Sequence, residues 1–282
     1  MSTNAERLRQ AINKMPNYRE VLELAEQLLM EKQRLRARES FPSFKVDSAK
    51  AKLQMQEGFP YLKPSEVPID SGRVAEYFFR LLEAFKEKNP GKYAALRKAT
   101  HSPSFRFDRF LASLLQNQVT EDRLKKEWEE GGSLLFFFLL QSIKPAFEAQ
   151  AKIWRGGQMD FSWNQGYCPF CGGFPGMAEI REEGKKFIHC PICSTPWEYP
   201  RMQCPFCDNN NPEKLTYFQV EEEPGYRVDL CQECKTYLKT VVSREREDPL
   251  DWEVEDYLTL HLDFLAQEEG YRRPERLFVE MH

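Results

Sequence analysis

The first 167 of the 282 residues contain no cysteine, and no uninterrupted apolar run exceeds the seven residues Leu134–Leu140. A membrane-spanning helix needs about 20 apolar residues, so no apolar segment here is long enough to insert as one. Neither sign of charge dominates: 40 Lys and Arg stand against 44 Asp and Glu, the net charge is -4, and the pI is about 5.8. Without a basic surplus the phosphate backbone of a nucleic acid is a disfavoured partner. Met1–Arg7 shows neither an apolar stretch nor a small-residue cleavage site, which leads to the expectation of a cytoplasmic protein. A Ser/His/Asp arrangement, a phosphate-binding glycine loop and a paired-carboxylate signature are all missing, so the chain is not expected to be an enzyme. Histidine is scarce, with four residues. His101 and His261 have no neighbouring ligand pair and are expected at the surface or an interface, while His189, beside Cys190, is expected to be a neighbouring or solvent-facing side chain.

What the chain does have is eight cysteines confined to 67 residues, from Cys168 to Cys234, every one in a Cys-x-x-Cys pair. In a reducing compartment such pairs read as metal ligands rather than disulfides. A Cys-x-x-Cys turn aims two sulfurs at one centre, and two turns at the ends of a short hairpin complete a tetrahedron, a geometry that suits zinc or iron. Neighbouring pairs are separated by 18 residues (Cys171 to Cys190), 10 (Cys193 to Cys204) and 23 (Cys207 to Cys231), a pattern of two similar units. Sequential pairing therefore predicts one site from Cys168, Cys171, Cys190 and Cys193, and a second from Cys204, Cys207, Cys231 and Cys234. Interleaved pairing needs a more complicated chain path. Strand-turn-strand patterns lie between the pairs: 177–181 and 186–188 around Glu182-Glu183-Gly184, then 214–220 and 226–230 around 221–225. Gly172 follows the first knuckle where a positive φ is useful; Ser194, Asp208 and Lys235, at the same place in the others, suit that role less well. The Glu221-Glu222-Glu223 run reads as a solvated turn.

The cysteine-free half is helical in pattern. Leu22, Leu24, Ala25, Leu28 and Leu29 form one apolar face. Residues 41–68 read as a connector over the helices, with a short helix near 49–56. Helices are expected at about 72–88, 94–98, 105–117 and 121–128. Ser133, after Gly131-Gly132, is expected to cap a helix whose opening turns, Leu134–Leu140, are apolar all round and belong at the centre of a bundle. Pro145 is expected to interrupt it with a kink near Lys144. A last amphipathic helix is expected at about 254–269. The fold class is thus α+β: an all-helical domain (1–160), two tetracysteine modules (161–200 and 201–245) and a C-terminal helix packing on the rest (246–282).

Several segments resemble the formate dehydrogenase accessory proteins, the FdhE family. They are Gly58-Phe59-Pro60-Tyr61-Leu62 with Val67-Pro68-Ile69-Asp70, the apolar helix ending at Pro145, Trp197 after the second knuckle, and Arg201 before Cys204-Pro205-Phe206-Cys207. Cys231-Gln232-Glu233-Cys234-Lys235-Thr236-Tyr237-Leu238-Lys239, Leu262-Asp263 and Gly270-Tyr271-Arg272-Arg273 complete the set. The resemblance implies a cytoplasmic assembly factor that binds the catalytic subunit of formate dehydrogenase, and rubredoxin-like iron in the tetracysteine modules. Two other classes stand beside it: a zinc-ribbon nucleic-acid binder and a rubredoxin-like electron carrier. The first is opposed by charge, since residues 166–241 hold 8 Lys and Arg against 11 Asp and Glu. A homodimer is left open.

Overall fold

The computed structural model describes residues 3–38, 48–67, 69–156, 162–242, 250–274 and 277–279. Local chemistry starts and stops most helices. A capping box between Thr3 and Glu6 opens α1 (Asn4–Lys14), which turns through Pro16–Tyr18 into α2 (Arg19–Arg38). After α3 (Ser48–Gln56), the Asp70 carboxylate accepts the amides of Gly72 and Arg73 and begins α4 (Ser71–Lys88). Pro90, at a first-turn position where its missing N–H costs nothing, begins α5 (Pro90–Thr100). Then come α6 (Phe107–Leu115) and α7 (Glu121–Trp128), the latter capped by Thr120.

The central helix, α8 (Glu130–Gly156), differs from expectation at its start. It begins before Gly131-Gly132 rather than at a Ser133 cap, because α7 and α5 cross here at backbone distance. A Cβ on Gly132 would lie 1.9 Å from the carbonyl oxygen of Leu124, and one on Gly131 2.6 Å from that of Ala95. Pro145 lies inside this helix, which runs on for another eleven residues. Leu135, Phe138, Leu139, Ile143, Phe147 and Ala151 of α8 are buried and form the spine of the main core, so the all-round apolar stretch does occupy the centre of the bundle. Of the expected connector, residues 41–47 and Pro68 lie outside the described residues. Its remainder runs along the cysteine region, with the amides of Tyr61 and Leu62 donating to the carbonyls of Pro169 and Phe170.

Six strands form one sheet: β1 (Met177–Ile180), β2 (Lys186–His189), β3 (Pro196–Glu198), β4 (Leu215–Phe218), β5 (Tyr226–Cys231) and β6 (Thr236–Val242). Their order is β3-β2-β1-β6-β5-β4. Each half, β1-β2-β3 and β4-β5-β6, is an antiparallel three-strand unit in chain order, and the two are joined where β6 lies parallel to β1, Met177 opposite Lys239. That parallel pair merges the two cysteine units into a continuous layer.

The expected final helix is two helices, α9 (Trp252–Leu258) and α10 (Leu260–Glu268), broken at Thr259. The Lys239 ammonium, buried on β6, donates to the carbonyls of Asp256 (2.7 Å) and Thr259 (3.2 Å) that the break frees. Val254 of α9 packs on Leu8, Ile12, Leu22 and Ala25, which brings the C-terminal region back to the first two helices. Among the described residues no helix is long and apolar enough to cross a membrane.

Candidate metal centres

The four Cys-x-x-Cys turns share one backbone design. The amide two places beyond each knuckle's middle residues, that of Gly172, Ser194, Asp208 or Lys235, donates to the carbonyl of the first cysteine of its pair at 2.9–3.0 Å. All four donors have positive φ: 72° at Gly172 and 56–57° at Ser194, Asp208 and Lys235. The turn's demand thus overrides the side-chain preference at three of the four. The knuckles occupy matching places, before β1 and between β2 and β3 in one unit, before β4 and between β5 and β6 in the other.

This placement gathers the sulfurs as sequential pairing requires: Cys168, Cys171, Cys190 and Cys193 in one group, Cys204, Cys207, Cys231 and Cys234 in the other. In the first group Cys168 and Cys193 approach to 3.5 Å, and Cys171 stands 3.6 Å from both Cys190 and Cys193. In the second, Cys204–Cys234 and Cys207–Cys231 are each 3.7 Å apart. A tetrahedron with metal–sulfur bonds of about 2.3 Å has sulfur–sulfur edges of about 3.8 Å, so both groups fit a tetrathiolate ion with little adjustment. Four soft sulfurs without oxygen or nitrogen suit zinc or iron over magnesium or calcium.

The electrostatics of the bare thiols agree with a site that wants a cation. Burial pushes the Cys168 and Cys171 thiols far up. Burial acts on Cys190 as well, but hydrogen bonds from Cys168, Cys171 and Cys193 overcome it and hold that thiol well down. In the second group burial lifts Cys207 to about 11, while at Cys231 the amides of Cys234 and Glu233 outweigh burial and bring it to about 7. Each group thus has one thiol lowered beside others that burial raises; a bound metal ion would favour the thiolate form of all four.

Two threonines near the sulfurs were not singled out from the sequence. Thr195 Oγ1 lies 3.1 Å from Cys193 Sγ, and Thr236 Oγ1 2.8 Å from Cys234 Sγ. Each sits two residues after the last cysteine of its group, a shared position that was the available signal. Among the described residues, none of His101, His189 and His261 joins either group. His189 is not solvent-facing: it is 3% exposed, with its ring stacked on Trp252 at 3.6 Å and its Nε2 3.6 Å from Glu179. Burial lowers its pKa. His101 is exposed, its Nδ1 3.1 Å from the Arg97 carbonyl oxygen, and His261 contacts Glu223 at 2.9 Å, which gives the acidic turn one partner.

A helical bundle sharing its core with a sheet that carries two tetracysteine knuckle pairs defines a class of double metal-binding scaffold. Residues 167–201 match the family model described as FdhE, central domain, and residues 202–277 match that of FdhE, C-terminal domain. A protein from Aquifex aeolicus (strain VF5) named Protein FdhE homolog is 27% identical over 247 residues, 84% of this chain and 80% of its own length. Protein FdhE from Escherichia coli O1:K1 / APEC is 32% identical over 111 residues, a stretch that covers 38% of this chain and 35% of that protein. The crystal structure of the FdhE protein from Pseudomonas aeruginosa superposes with a TM-score of 0.65 over 98% of this chain and 93% of that one, at 23% identity, and shares the fold. Together the two family-model matches run without a gap from residue 167 to residue 277 of this chain.

Proposed function

We propose that the protein is an assembly factor for formate dehydrogenase that binds the enzyme's catalytic subunit during maturation, in the cytoplasm, and acts by binding rather than by catalysis. In this reading Cys168, Cys171, Cys190 and Cys193 ligate one ion and Cys204, Cys207, Cys231 and Cys234 the other, each iron or zinc. The units are a helical domain (1–160), two tetracysteine modules (161–200 and 201–245) and a C-terminal region (246–282). The observation that carries the proposal is the continuity of the scaffold. One buried cluster runs from Phe138 and Phe147 of α8 into Cys168, Cys171, Cys190 and Cys193, and one sheet spans both cysteine groups. Such ions cross-link knuckles that are far apart in sequence, and structural zinc in small peptides contributes about 10–16 kcal/mol of folding energy. The chain's own residues then present helices and sheet as a fixed surface, which suits recognition of a folded client.

Anaerobic affinity purification from the native host at endogenous expression, followed by mass spectrometry, tests this. Enrichment of a formate dehydrogenase catalytic subunit during growth on formate is the expected result. Recovery of nucleic acid or ribosomal proteins without that subunit would reject it in favour of a ribbon-type nucleic-acid binder, and recovery of a reductase alone in favour of an electron carrier.

A further inference from the structure

The two cysteine groups share a backbone design but not an environment. The sulfur-bearing residues of the first group are 0–2% exposed, and all four belong to the main hydrophobic cluster. Neighbouring segments clamp that group from several sides. Arg155 of α8 donates to the Ser194 carbonyl at 2.7 Å, Ser194 Oγ donates to Glu148 at 3.0 Å, and the amide of Val279 donates to Gly172 at 2.8 Å. In the second group Cys204 and Cys231 are buried, Cys234 is half-buried and Cys207 is exposed. None of these four belongs to a buried hydrophobic cluster. A cavity of about 170 Å³ also borders this group, with Cys204 and Cys231 in its wall beside Met202, Phe206 and Tyr217. Met202 and Tyr217 are themselves 51% and 60% exposed.

We infer that the second group is the exchangeable, thiol-reactive metal centre of the molecule, open to small chelators and thiols through Cys207, while the first is a permanent part of the core. This rests on the reading that both groups hold ions. An outside ligand meets Cys207 without any movement of the fold. Cys190 borders a cavity of about 280 Å³ beside α8 and α9, but all four residues of the first group are at most 2% exposed and sit in the main cluster, so freeing an ion held by all four sulfurs requires opening that core. Local openings cost far less than global ones, so the two centres exchange on separate timescales.

The test uses the full-length zinc-loaded protein. Elemental analysis first establishes two ions per chain. The chelator 4-(2-pyridylazo)resorcinol is then added, and ion release is followed by absorbance. At the end of the fast phase the free thiols are labelled with N-ethylmaleimide and mapped by peptide mass spectrometry. Release is expected in two phases differing at least about 100-fold in rate, because the slow one requires opening of the core. Label is expected on Cys204, Cys207, Cys231 and Cys234 and not on Cys168, Cys171, Cys190 or Cys193. Cys207→Ser is expected to lose the fast phase and retain the slow ion with unchanged helix content by circular dichroism. Both ions leaving at one rate, or label spread evenly over the eight cysteines, would overturn the asymmetry and leave the metal reading standing. Failure to bind two ions would overturn the metal reading and the asymmetry with it. If Cys207→Ser does not fold, the wild-type release and labelling pattern still decides.

Discussion

At the scale of single residues, the knuckles show backbone geometry prevailing over side-chain preference. Gly172 meets its positive φ at no steric cost, whereas Lys235 adopts 56° with a Cβ in place. The environments sharpen the contrast. A Cβ on Gly172 would stand 3.1 Å from both Pro60 and Val279, while the Lys235 side chain reaches out to lie over the Tyr271 ring at 5.2 Å. Gly172→Ala is therefore expected to destabilise the metal-loaded protein by about 1–2 kcal/mol, and Lys235→Gly to change stability by less than about 1 kcal/mol in either direction. Urea unfolding of both variants checks this, and an equal loss in the two would contradict the backbone argument. The grouping of the eight cysteines into two sets of four was legible because Cys-x-x-Cys is a local signal whose spacing encodes the turn. The burial of His189 was not, because what covers it, Trp252, lies 63 residues further along and leaves no trace beside it in the chain.

At the scale of elements, the corner between α9 and α10 is held by charge inside the fold. Lys239 is 1% exposed; besides the two carbonyls it bonds Asp263 at 2.7 Å and Asp256 at 2.8 Å, and Arg273 and Tyr237 share the same carboxylates. Removing one member of a buried ionic network leaves its partners without compensation, at a cost of about 3–5 kcal/mol. Lys239→Met keeps the volume and removes the charge, so it is expected to lose about that much stability and to lose amide protection across α9 and α10 before α8. Hydrogen exchange with urea unfolding measures both; a loss below about 1 kcal/mol would mean Arg273 suffices alone. This corner explains why a single helix over 254–269 was the natural expectation: the apolar spacing is continuous across Thr259, and the break answers to a lysine on a distant strand. Gly131-Gly132 misled in the same way. Glycines look like punctuation until the crossing backbones of α7 and α5 are in view.

At the scale of the whole molecule, helical region, sheet and C-terminal region meet at one buried ionic cluster. Lys32 of α2 bonds Glu148 of α8 and Glu253 of α9, each at 2.6 Å, Lys144 of α8 bonds Glu253 at 2.9 Å, and Ser194 of the second knuckle donates to Glu148. Helix positions were readable from periodicity, but this convergence and the parallel pairing of β1 with β6 arise from contacts across tens to hundreds of residues, which no local pattern carries. The junction has a pH signature. Burial would raise the Glu253 carboxyl, yet the Lys144 and Lys32 ammonium groups outweigh it and hold it far below its ordinary 4.5. Burial would likewise lower Lys32, but Glu253 and Glu148 hold it above its ordinary 10.5. A depressed carboxylate contributes stability that is complete above the unfolded-state value and is lost as pH falls through the folded one; a raised lysine contributes below its unfolded value and loses it as pH rises. The contribution of the cluster is therefore level from about pH 5 to about pH 10 and declines below about pH 4.5. Glu253→Gln leaves Lys144 without its carboxylate and is expected to cost about 3–5 kcal/mol on that plateau. The gap between wild type and variant should narrow as pH is lowered from 4.5 towards 3, because Glu253 of the unfolded wild-type chain then takes up a proton that the folded carboxylate does not, while the variant has no such group. Protonation of the cysteine ligands affects both proteins alike and cancels in the difference. Urea unfolding of the two metal-loaded proteins at matched pH measures it, and a gap that stays constant down to pH 3 would show that Glu253 is not the group through which acid loosens the junction.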